Sequence, residues 1–210
     1  MLKSRFSEFC NRVSIGLGMF FSKIPLSANA WTLLSLLPAV VGFVFLVRGS
    51  MISALAMFAA SALMDAIDGG VARVTGTVSN LGAYLDGMMD RVVEGLLLIG
   101  IMLYGIPDLS VGGYSTPAFL WIALLLFFGS AMVSYSRAYA VYRRVLKDDK
   151  KISKMPGILE RAERLILVFL GMLLHSFNPE YLTYAIAIAA VLSIVTVVQR
   201  VLYTMGRAEY

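Results

Sequence analysis

The sequence contains very little cysteine, histidine or charge. Cys10 is the only cysteine among 210 residues and His175 is the only histidine, so an internal disulfide and a metal site built from several Cys or His ligands are both excluded. Charged residues make up 15% of the chain and hydrophobic residues 59%, compared with about 25% and 45–50% in soluble domains. This composition indicates an integral membrane protein.

Long apolar runs recur along the whole chain instead of appearing once at its start. A run of about 20 apolar residues is long enough to cross the hydrocarbon of a bilayer. We therefore predict an all-α integral membrane protein with six transmembrane helices in a single domain, residues 1–210. The predicted spans are 29–47, 52–73, 80–104, 117–145, 158–177 and 181–204.

The first 24 residues differ from these spans because charged side chains are scattered among the apolar ones: Lys3, Arg5, Glu8, Arg12 and Lys23. They also lack a clean apolar core followed by a small-residue cleavage site. We predict that residues 1–24 form an amphipathic helix on the membrane surface and that residues 25–210 form a six-helix bundle.

The basic residues are distributed very unevenly among the predicted loops. Of the 18 Lys and Arg residues, only Arg48 lies near the loops of one face, and residues 105–116 and 178–180 contain none. Basic loops stay on the cytoplasmic side of a cell membrane. The pattern therefore predicts that both termini are cytoplasmic and that a basic surface faces anionic lipids, with no nucleic acid partner.

Four aspartates stand out within the second and third apolar segments. Asp65 and Asp68 are three residues apart, and Asp86 and Asp90 are four apart, so each pair shares one face of its helix. The pairs are separated by the short polar stretch TGTVSN, residues 75–80.

That stretch has the residues of a tight turn between two helices. Gly76 is expected to end the first helix, and Ser79 or Asn80 is expected to cap the second. The two carboxylate pairs then face each other near the cytoplasmic end of an antiparallel helix hairpin.

Four carboxylates in a membrane domain need a positive partner. Each costs about 2.5–3.5 kcal/mol at the centre of a membrane helix, and mutual repulsion adds to that cost. Oxygen ligands without His or Cys favour hard cations such as Mg²⁺, Mn²⁺ or Ca²⁺. A pair of such ions could hold a diphosphate, and Arg73, one turn further on, could bind a phosphate oxygen.

Three other interpretations of these residues remain open. The aspartates could form structural ion pairs with Arg73 and Arg91, and the nearby glycines could serve only close helix packing. Acids inside a membrane also occur in proton and cation pathways, as in a divalent-cation transporter. The predicted clustering at one interface is less suited to a path through the membrane.

The spacing of the acidic segment resembles the signature of the CDP-alcohol phosphotransferases. It has Asp65-x₂-Asp68-Gly69-x₂-Ala72-Arg73-x₈-Gly82-x₃-Asp86-x₃-Asp90. Eight fixed residues within 26 positions make this pattern highly specific. Residues 25–35 resemble, more weakly, the start of the first span in that family.

The resemblance implies an enzyme of phospholipid synthesis that transfers a lipid phosphate group from a CDP-lipid to an alcohol and releases CMP. It implies two divalent cations, Mg²⁺ or Mn²⁺, with Asp90 also acting as the general base. The implied metal ligands are Asp65, Asp68, Asp86 and Asp90. The implied nucleotide-binding residues are Gly69, Ala72, Arg73 and Gly82.

The basic segment resembles one branch of that family, the phosphatidylinositol phosphate synthases and the archaetidylinositol phosphate synthases. The resemblance lies in SYSRAYA at 134–140, GILERAERLIL at 157–167 and DRVVEG at 90–95. It implies inositol phosphate as the acceptor, with glycerol 3-phosphate, serine and free inositol as alternatives. The residues implied in binding the acceptor phosphate are Arg137, Arg161, Arg164 and Arg200.

Other expectations concern the lipid and the assembly. The donor could carry diacylglycerol or archaeol, because contacts with lipid tails are generic apolar surface. Glycines within the spans permit close helix approach, and we expect a homodimer in the lipid bilayer with its active site on the cytoplasmic side. Glu160 and Glu163 are expected to orient the arginines.

Overall fold

The computed structural model describes residues 14–148, 151–152 and 154–207. The chain forms two compact units, Met1–Leu97 and Leu98–Tyr210, with the boundary inside one helix. The first unit contains α1 (residues 14–21), α2 (Ala28–Leu34), α3 (Leu36–Val47), α4 (Met51–Thr75) and most of α5 (Asn80–Tyr104).

The first predicted span is divided into α2 and α3 at Ser35. Pro38 lies in the first turn of α3, where its ring would clash with the carbonyl of Leu34 if the helix continued unbroken. The Ser35 hydroxyl donates to the carbonyl of Thr32 at 2.7 Å. The division therefore follows from the proline, and the Ser35 hydroxyl gives the Thr32 carbonyl a hydrogen-bond donor at the break.

Helices α3 and α4 pack through small residues. A Cβ placed on Gly42 would lie 3.0 Å from the Phe58 ring, so the ring fills the space that the glycine leaves. The hydroxyl of Ser61 donates to the carbonyl of Ser35 at 2.8 Å. Nearer the acidic segment, Trp31, Ile67 and Val71 form a buried cluster. These contacts fix the part of α4 that carries the first aspartate pair.

The second unit contains the end of α5 and a short sheet followed by helices. Its elements are β1 (Leu109–Val111), β2 (Tyr114–Thr116), α6 (Ala118–Leu124), a π-helical segment (Leu125–Met132), α7 (Val133–Tyr142), α8 (Arg161–Leu174) and α9 (Glu180–Met205).

The strands β1 and β2 form an antiparallel hairpin where only a connecting loop was predicted. Val111 pairs with Tyr114 across the turn, and Gly112 and Gly113 have φ angles of 59° and 85°. Positive φ at both central residues is typical of the two-residue turn that matches strand twist. The fold is thus mostly helical, with this hairpin as an addition to the all-α prediction.

Helix α9 packs closely against α8 in the second unit. A Cβ on Gly171 of α8 would lie 2.7 Å from the Cβ of Ala185, so only glycine permits the observed approach. The hydroxyl of Thr196 accepts a hydrogen bond from the amide of Leu159 at 3.1 Å. This bond ties the segment just before α8 to α9.

Among the residues that the structure describes, four helical stretches are long and apolar enough to cross a membrane: Ala28–Val47, Met51–Thr75, Ala118–Tyr142 and Glu180–Met205. The other two predicted spans are helical but differ from these four. Helix α5 carries several charged residues, and α8 has only 14 residues. The predicted surface helix is described only from residue 14 onward.

Candidate active site

Three of the four predicted aspartates come together in the first unit. Asp65 and Asp68 lie on α4 and Asp86 lies on α5, and one carboxylate oxygen from each falls within 4.8 Å of the other two. Asp68 is only 5% exposed. Its Oδ2 has no hydrogen-bond partner among the residues that the structure describes.

The turn between α4 and α5 has the predicted caps. Gly76 ends α4 in the left-handed conformation, with φ 67°, which glycine adopts without a Cβ penalty. The Ser79 hydroxyl accepts a hydrogen bond from the amide of Gly82 at 3.0 Å, as expected of an N-cap. The sequence prediction for this turn is confirmed, and the turn positions Asp86 opposite the α4 pair.

The three carboxylates have the chemistry of a divalent-cation site. Three negative groups this close repel one another, and a buried carboxylate oxygen without a hydrogen-bond donor costs free energy. A hard cation would neutralise the group with the oxygen ligands that Mg²⁺ and Mn²⁺ prefer. Asp65, Asp68 and Asp86 therefore fit a metal ion.

Asp90 is on the same helix as Asp86 but is not part of this three-carboxylate group. It is 8% exposed, and its Oδ2 lies 3.4 Å from Nη2 of Arg91. Arg91 also lies 3.9 Å from the carboxylate of Glu94, which is 2% exposed. The ion pair considered from the sequence is therefore present for Asp90, and Glu94 is a buried acid that sequence reasoning missed.

The predicted nucleotide-binding residues lie on α4 and α5 beside the carboxylates. A Cβ on Gly69 would be 3.6 Å from the guanidinium of Arg73, and one on Gly82 would be 3.1 Å from the Asn29 side-chain oxygen. Ala72 is half-buried, and its carbonyl accepts a hydrogen bond from the amide of Thr77. The two glycines therefore let the Arg73 guanidinium and the Asn29 side chain lie close to the backbone of α4 and α5.

A cavity of about 200 Å³ lies between the start of α2 and the end of α4. Asn29, Val71 and Thr75 are among its lining residues. Because the Asn29 side chain also approaches Gly82, the cavity adjoins the predicted nucleotide-binding residues. Asn29 falls within residues 25–35, the segment with the weaker family resemblance. The sequence alone did not single out Asn29 within that segment.

Arg73 has a contact that the sequence did not suggest. Its Nη2 donates to the hydroxyl of Ser14 at 2.6 Å. The two residues are 59 positions apart, and no spacing rule connects them. The rest of the Arg73 side chain is exposed.

The predicted acceptor arginines belong to the second unit. Arg164 and Arg200 are buried, at 1% and 5% exposure. Arg137 and Arg164 lie within electrostatic range of Arg200, as does Glu160. Arg161 is half-buried at the first position of α8. The structure thus brings Arg137 and Arg164 each into the neighbourhood of Arg200.

Arg200 and the two glutamates have structural partners. The guanidinium of Arg200 donates from Nε to the carbonyl of Pro156 at 3.2 Å and from Nη1 to the carbonyl of Val133.

Glu160 and Glu163 form a capping box at the start of α8. The amide of Glu160 donates to Glu163 at 2.9 Å. These glutamates fix the helix start that carries Arg161 and Arg164.

A model of the CDP-alcohol phosphatidyltransferase family matches residues 26–199. This chain belongs to that family. The matched range includes all four aspartates and the predicted spans apart from the end of α9. As a CDP-alcohol phosphatidyltransferase, the chain is a transferase, and the three-carboxylate group lies within the matched range.

Relatives and solved structures agree with this assignment. The chain is 33% identical over 188 residues to the archaetidylinositol phosphate synthase of Methanothermobacter thermautotrophicus, covering 89% of this chain and 87% of the relative. It is similar in fold to the phosphatidylinositol phosphate synthase of Mycobacterium tuberculosis solved with CDP-DAG bound. The TM-score is 0.75 at 24% identity, covering 92% and 94% of the two chains.

A second structure of the mycobacterial enzyme, in complex with manganese and citrate, gives the same fold similarity. Its TM-score is also 0.75 at 24% identity, covering 91% of this chain and 88% of that chain. At this identity the likeness concerns the fold alone. The metal-binding interpretation of this CDP-alcohol phosphatidyltransferase depends on its own three carboxylates.

Proposed function

We propose that this enzyme transfers a lipid phosphate group from a CDP-lipid to a hydroxyl of inositol phosphate and releases CMP. The observation that carries the proposal is the group of carboxylate oxygens of Asp65, Asp68 and Asp86, within 4.8 Å of one another in a chain of this family. The name of the archaeal relative supports the choice of acceptor.

In the proposed reaction the acceptor hydroxyl attacks the lipid-linked phosphorus. A bond forms between the acceptor oxygen and this phosphorus, the bond to the bridging oxygen breaks, and the bridging oxygen leaves with CMP. The hydroxyl proton passes to the carboxylate of Asp90, the proposed general base. The ion pair with Arg91, 3.4 Å away, limits the rotation of this carboxylate.

Two divalent cations, Mg²⁺ or Mn²⁺, are proposed to be held by the four aspartates. When bound, such ions would polarise the diphosphate and stabilise the charge on the departing nucleotide. Gly69, Ala72 and Gly82 are proposed to let the nucleotide approach the backbone of α4 and α5. The exposed guanidinium of Arg73 is proposed to bind a diphosphate oxygen through bidentate hydrogen bonds.

The phosphate of the acceptor is proposed to bind the arginines of the second unit, Arg137, Arg161, Arg164 and Arg200. Burial of Arg164 at 1% exposure supports this role, because a desolvated guanidinium attracts a dianion more strongly than one in water. Arg200 already donates to two backbone carbonyls. These two bonds hold the Arg200 guanidinium in one orientation, and all four arginines stay assigned to the acceptor phosphate.

Gly129, in the π-helical segment, is expected to control where Arg164 lies. A Cβ on Gly129 would be 3.0 Å from Cδ of Arg164 and 3.0 Å from the Ser193 hydroxyl. The substitution Gly129→Ala should therefore displace the arginine. We expect kcat/KM for inositol phosphate to fall about 10- to 100-fold, the scale of a 1 Å misplacement, with the KM for CDP-lipid unchanged.

The control for this prediction is Gly95→Ala in α5. A Cβ on Gly95 would meet no described atom within 4 Å, so helix propensity is changed without a clash. Thermal unfolding of both variants checks that they are folded. An equal fall in kcat/KM for both variants, or a fall in the Gly129 variant that affects both substrates alike, would contradict the assignment.

In the membrane, we propose six spans in one domain, with α5 and α8 crossing together with the four apolar stretches. Helix α1 is proposed to lie on the membrane surface, because Ile15, Met19 and Phe20 are exposed while Ser14 is buried. The charge distribution supports cytoplasmic termini and a cytoplasmic active site. The homodimer expected from the sequence stays a prediction.

The proposed function is tested by CMP release from the full-length protein in detergent with Mg²⁺. The donors are CDP-diacylglycerol and CDP-archaeol, and inositol phosphate, glycerol 3-phosphate, serine and inositol are supplied separately. Release that depends on inositol phosphate is the expected result. Release with another acceptor would overturn the substrate assignment. Metal uptake into vesicles without CMP release would favour the transporter interpretation instead.

A further inference from the structure

Ser14 of α1 joins two hydrogen bonds in the first unit. Its hydroxyl donates to the carbonyl of Ala66 at 2.7 Å and accepts from Nη2 of Arg73 at 2.6 Å. Ser14 is 8% exposed, so water does not readily replace these bonds. A single hydroxyl thus links the backbone of α4 to the guanidinium at its end.

The backbones of α1 and α4 touch at this point, which fixes the position of the hydroxyl. A Cβ on Gly18 would overlap the backbone of Gly70, and a Cβ on Gly70 would overlap the carbonyl oxygen of Ser14. Ser14 and Gly18 are four residues apart on α1, as Ala66 and Gly70 are on α4. Small residues at this spacing allow two helices to approach closely in one register. The Ser14 hydroxyl is therefore held at a fixed position along the axis of α4.

The contact with Ser14 restrains a flexible side chain. Arginine has five N–H donors in a rigid fork, and Ser14 occupies one of those on Nη2. The Arg73 guanidinium lies 3.6–3.9 Å from the position that a Cβ on Gly69 would occupy. Gly69 is the residue directly after Asp68. The remaining donors belong to an exposed side chain and are available to an anionic ligand.

We propose that Ser14 is a positioning residue for the CDP-lipid donor: it holds Arg73 in the orientation that receives the diphosphate, so that helix α1 forms part of the donor site. This inference rests on the proposed function, in which Arg73 binds the donor. A bond from Ser14 to Ala66 would be enough to attach α1 to α4. The additional bond to Arg73 has no such packing role, because Arg73 is exposed and its side chain is not needed to fill the core.

The test is Ser14→Ala in the full-length protein, with equilibrium binding of CDP-diacylglycerol and CMP release measured on the same preparations. We expect the Kd and the KM for CDP-diacylglycerol to rise about three- to tenfold, the scale of ordering one long side chain. The KM for inositol phosphate and kcat at saturating donor should not change. Ser14→Thr, which keeps the hydroxyl, should restore the donor KM.

Two controls separate positioning from a general structural effect. Ser22→Ala removes a hydroxyl whose hydrogen bond, among the described residues, is a local one to the carbonyl of Met19, and it should leave the donor KM unchanged. In an Arg73→Ala background, Ser14→Ala should cause no further loss of donor affinity, because the group that Ser14 positions is absent. An equal loss in that background would overturn the proposal.

The outcomes also distinguish this proposal from the function on which it rests. A wild-type protein that does not bind CDP-diacylglycerol would overturn both. Wild-type binding together with unchanged donor affinity in Ser14→Ala would overturn only the role of Ser14. Gly70→Ala, which should push Ser14 away from α4, is expected to raise the donor KM like Ser14→Ala, and a variant that binds donor normally would contradict the proposed contact.

Discussion

The substitution Asp90→Asn is expected to lower kcat for CMP release by about 10²- to 10⁴-fold, the usual contribution of a general base. Asparagine keeps the size of the side chain and can still accept a hydrogen bond from Arg91, but it cannot take the proton from the acceptor hydroxyl. Steady-state CMP release with inositol phosphate measures the effect. The KM for CDP-lipid should change less than kcat, since the carboxylates of Asp65, Asp68 and Asp86 form a close group without Asp90.

Metal binding distinguishes this role from a purely structural one. The carboxylates of Asp65, Asp68 and Asp86 form a close group without Asp90, so Asp90→Asn should still be stabilised by added Mn²⁺. If Asp90 served only its ion pair with Arg91, the variant would lose thermal stability and keep its turnover. That pattern would remove Asp90 from the proposed chemistry and leave the base unassigned.

The substitution Asp68→Asn should abolish the response to divalent cations. At a metal concentration of 100 times Kd, binding stabilises a native protein by about 2.7 kcal/mol, and we expect this gain in the wild type and its loss in the variant. CMP release should fall at least as far as in Asp90→Asn. Thermal unfolding with and without Mn²⁺, followed on the same samples as CMP release, measures both effects.

Without metal, the order of thermal stability of the wild type and Asp68→Asn should reverse. Asparagine removes one of three mutually repelling carboxylates, whose ligand oxygens lie within 4.8 Å of one another, and its amide replaces the buried Oδ2 that has no hydrogen-bond partner among the described residues. The metal-free variant should therefore unfold at a higher temperature than the metal-free wild type. Asp148→Asn changes an exposed carboxylate and is the control. Equal metal responses in Asp68→Asn and the wild type would refute the site.

Local patterns predicted the acidic hairpin well because its determinants are near one another in sequence. Gly76 and Ser79 set the turn, and helical spacing places Asp65 and Asp68 on one face. The separation of Asp90 from the other three also follows from local geometry, since four residues advance a helix by about 6 Å. The carboxylates of Asp65, Asp68 and Asp86 form the close group, and metal ligation by Asp90, one turn further along α5, stays a prediction.

Features that depend on tertiary contacts were not predictable in this way. The bond from Arg73 to Ser14 requires α1 to meet α4, and only the pairing of Gly18 with Gly70 explains the meeting. Pro38 was a readable signal for the break at Ser35, and the two glycines at 112–113 were a readable signal for the hairpin. The second unit gave no such signal for the partners of Arg200, because backbone carbonyls have no sequence signature.

The π-helical segment Leu125–Met132 has a consequence for how this chain can change in length. A π-helical turn contains more residues than an α-helical turn, and such bulges behave as insertions within a helix. Deleting one residue from this segment should therefore return a wide turn to α-helical geometry and leave the α7 face that carries Arg137 close to its present orientation. In a regular α-helix the same deletion would rotate everything after it by about 100°. Relatives should therefore tolerate the loss of one position in this stretch more readily than in the α-helices on either side.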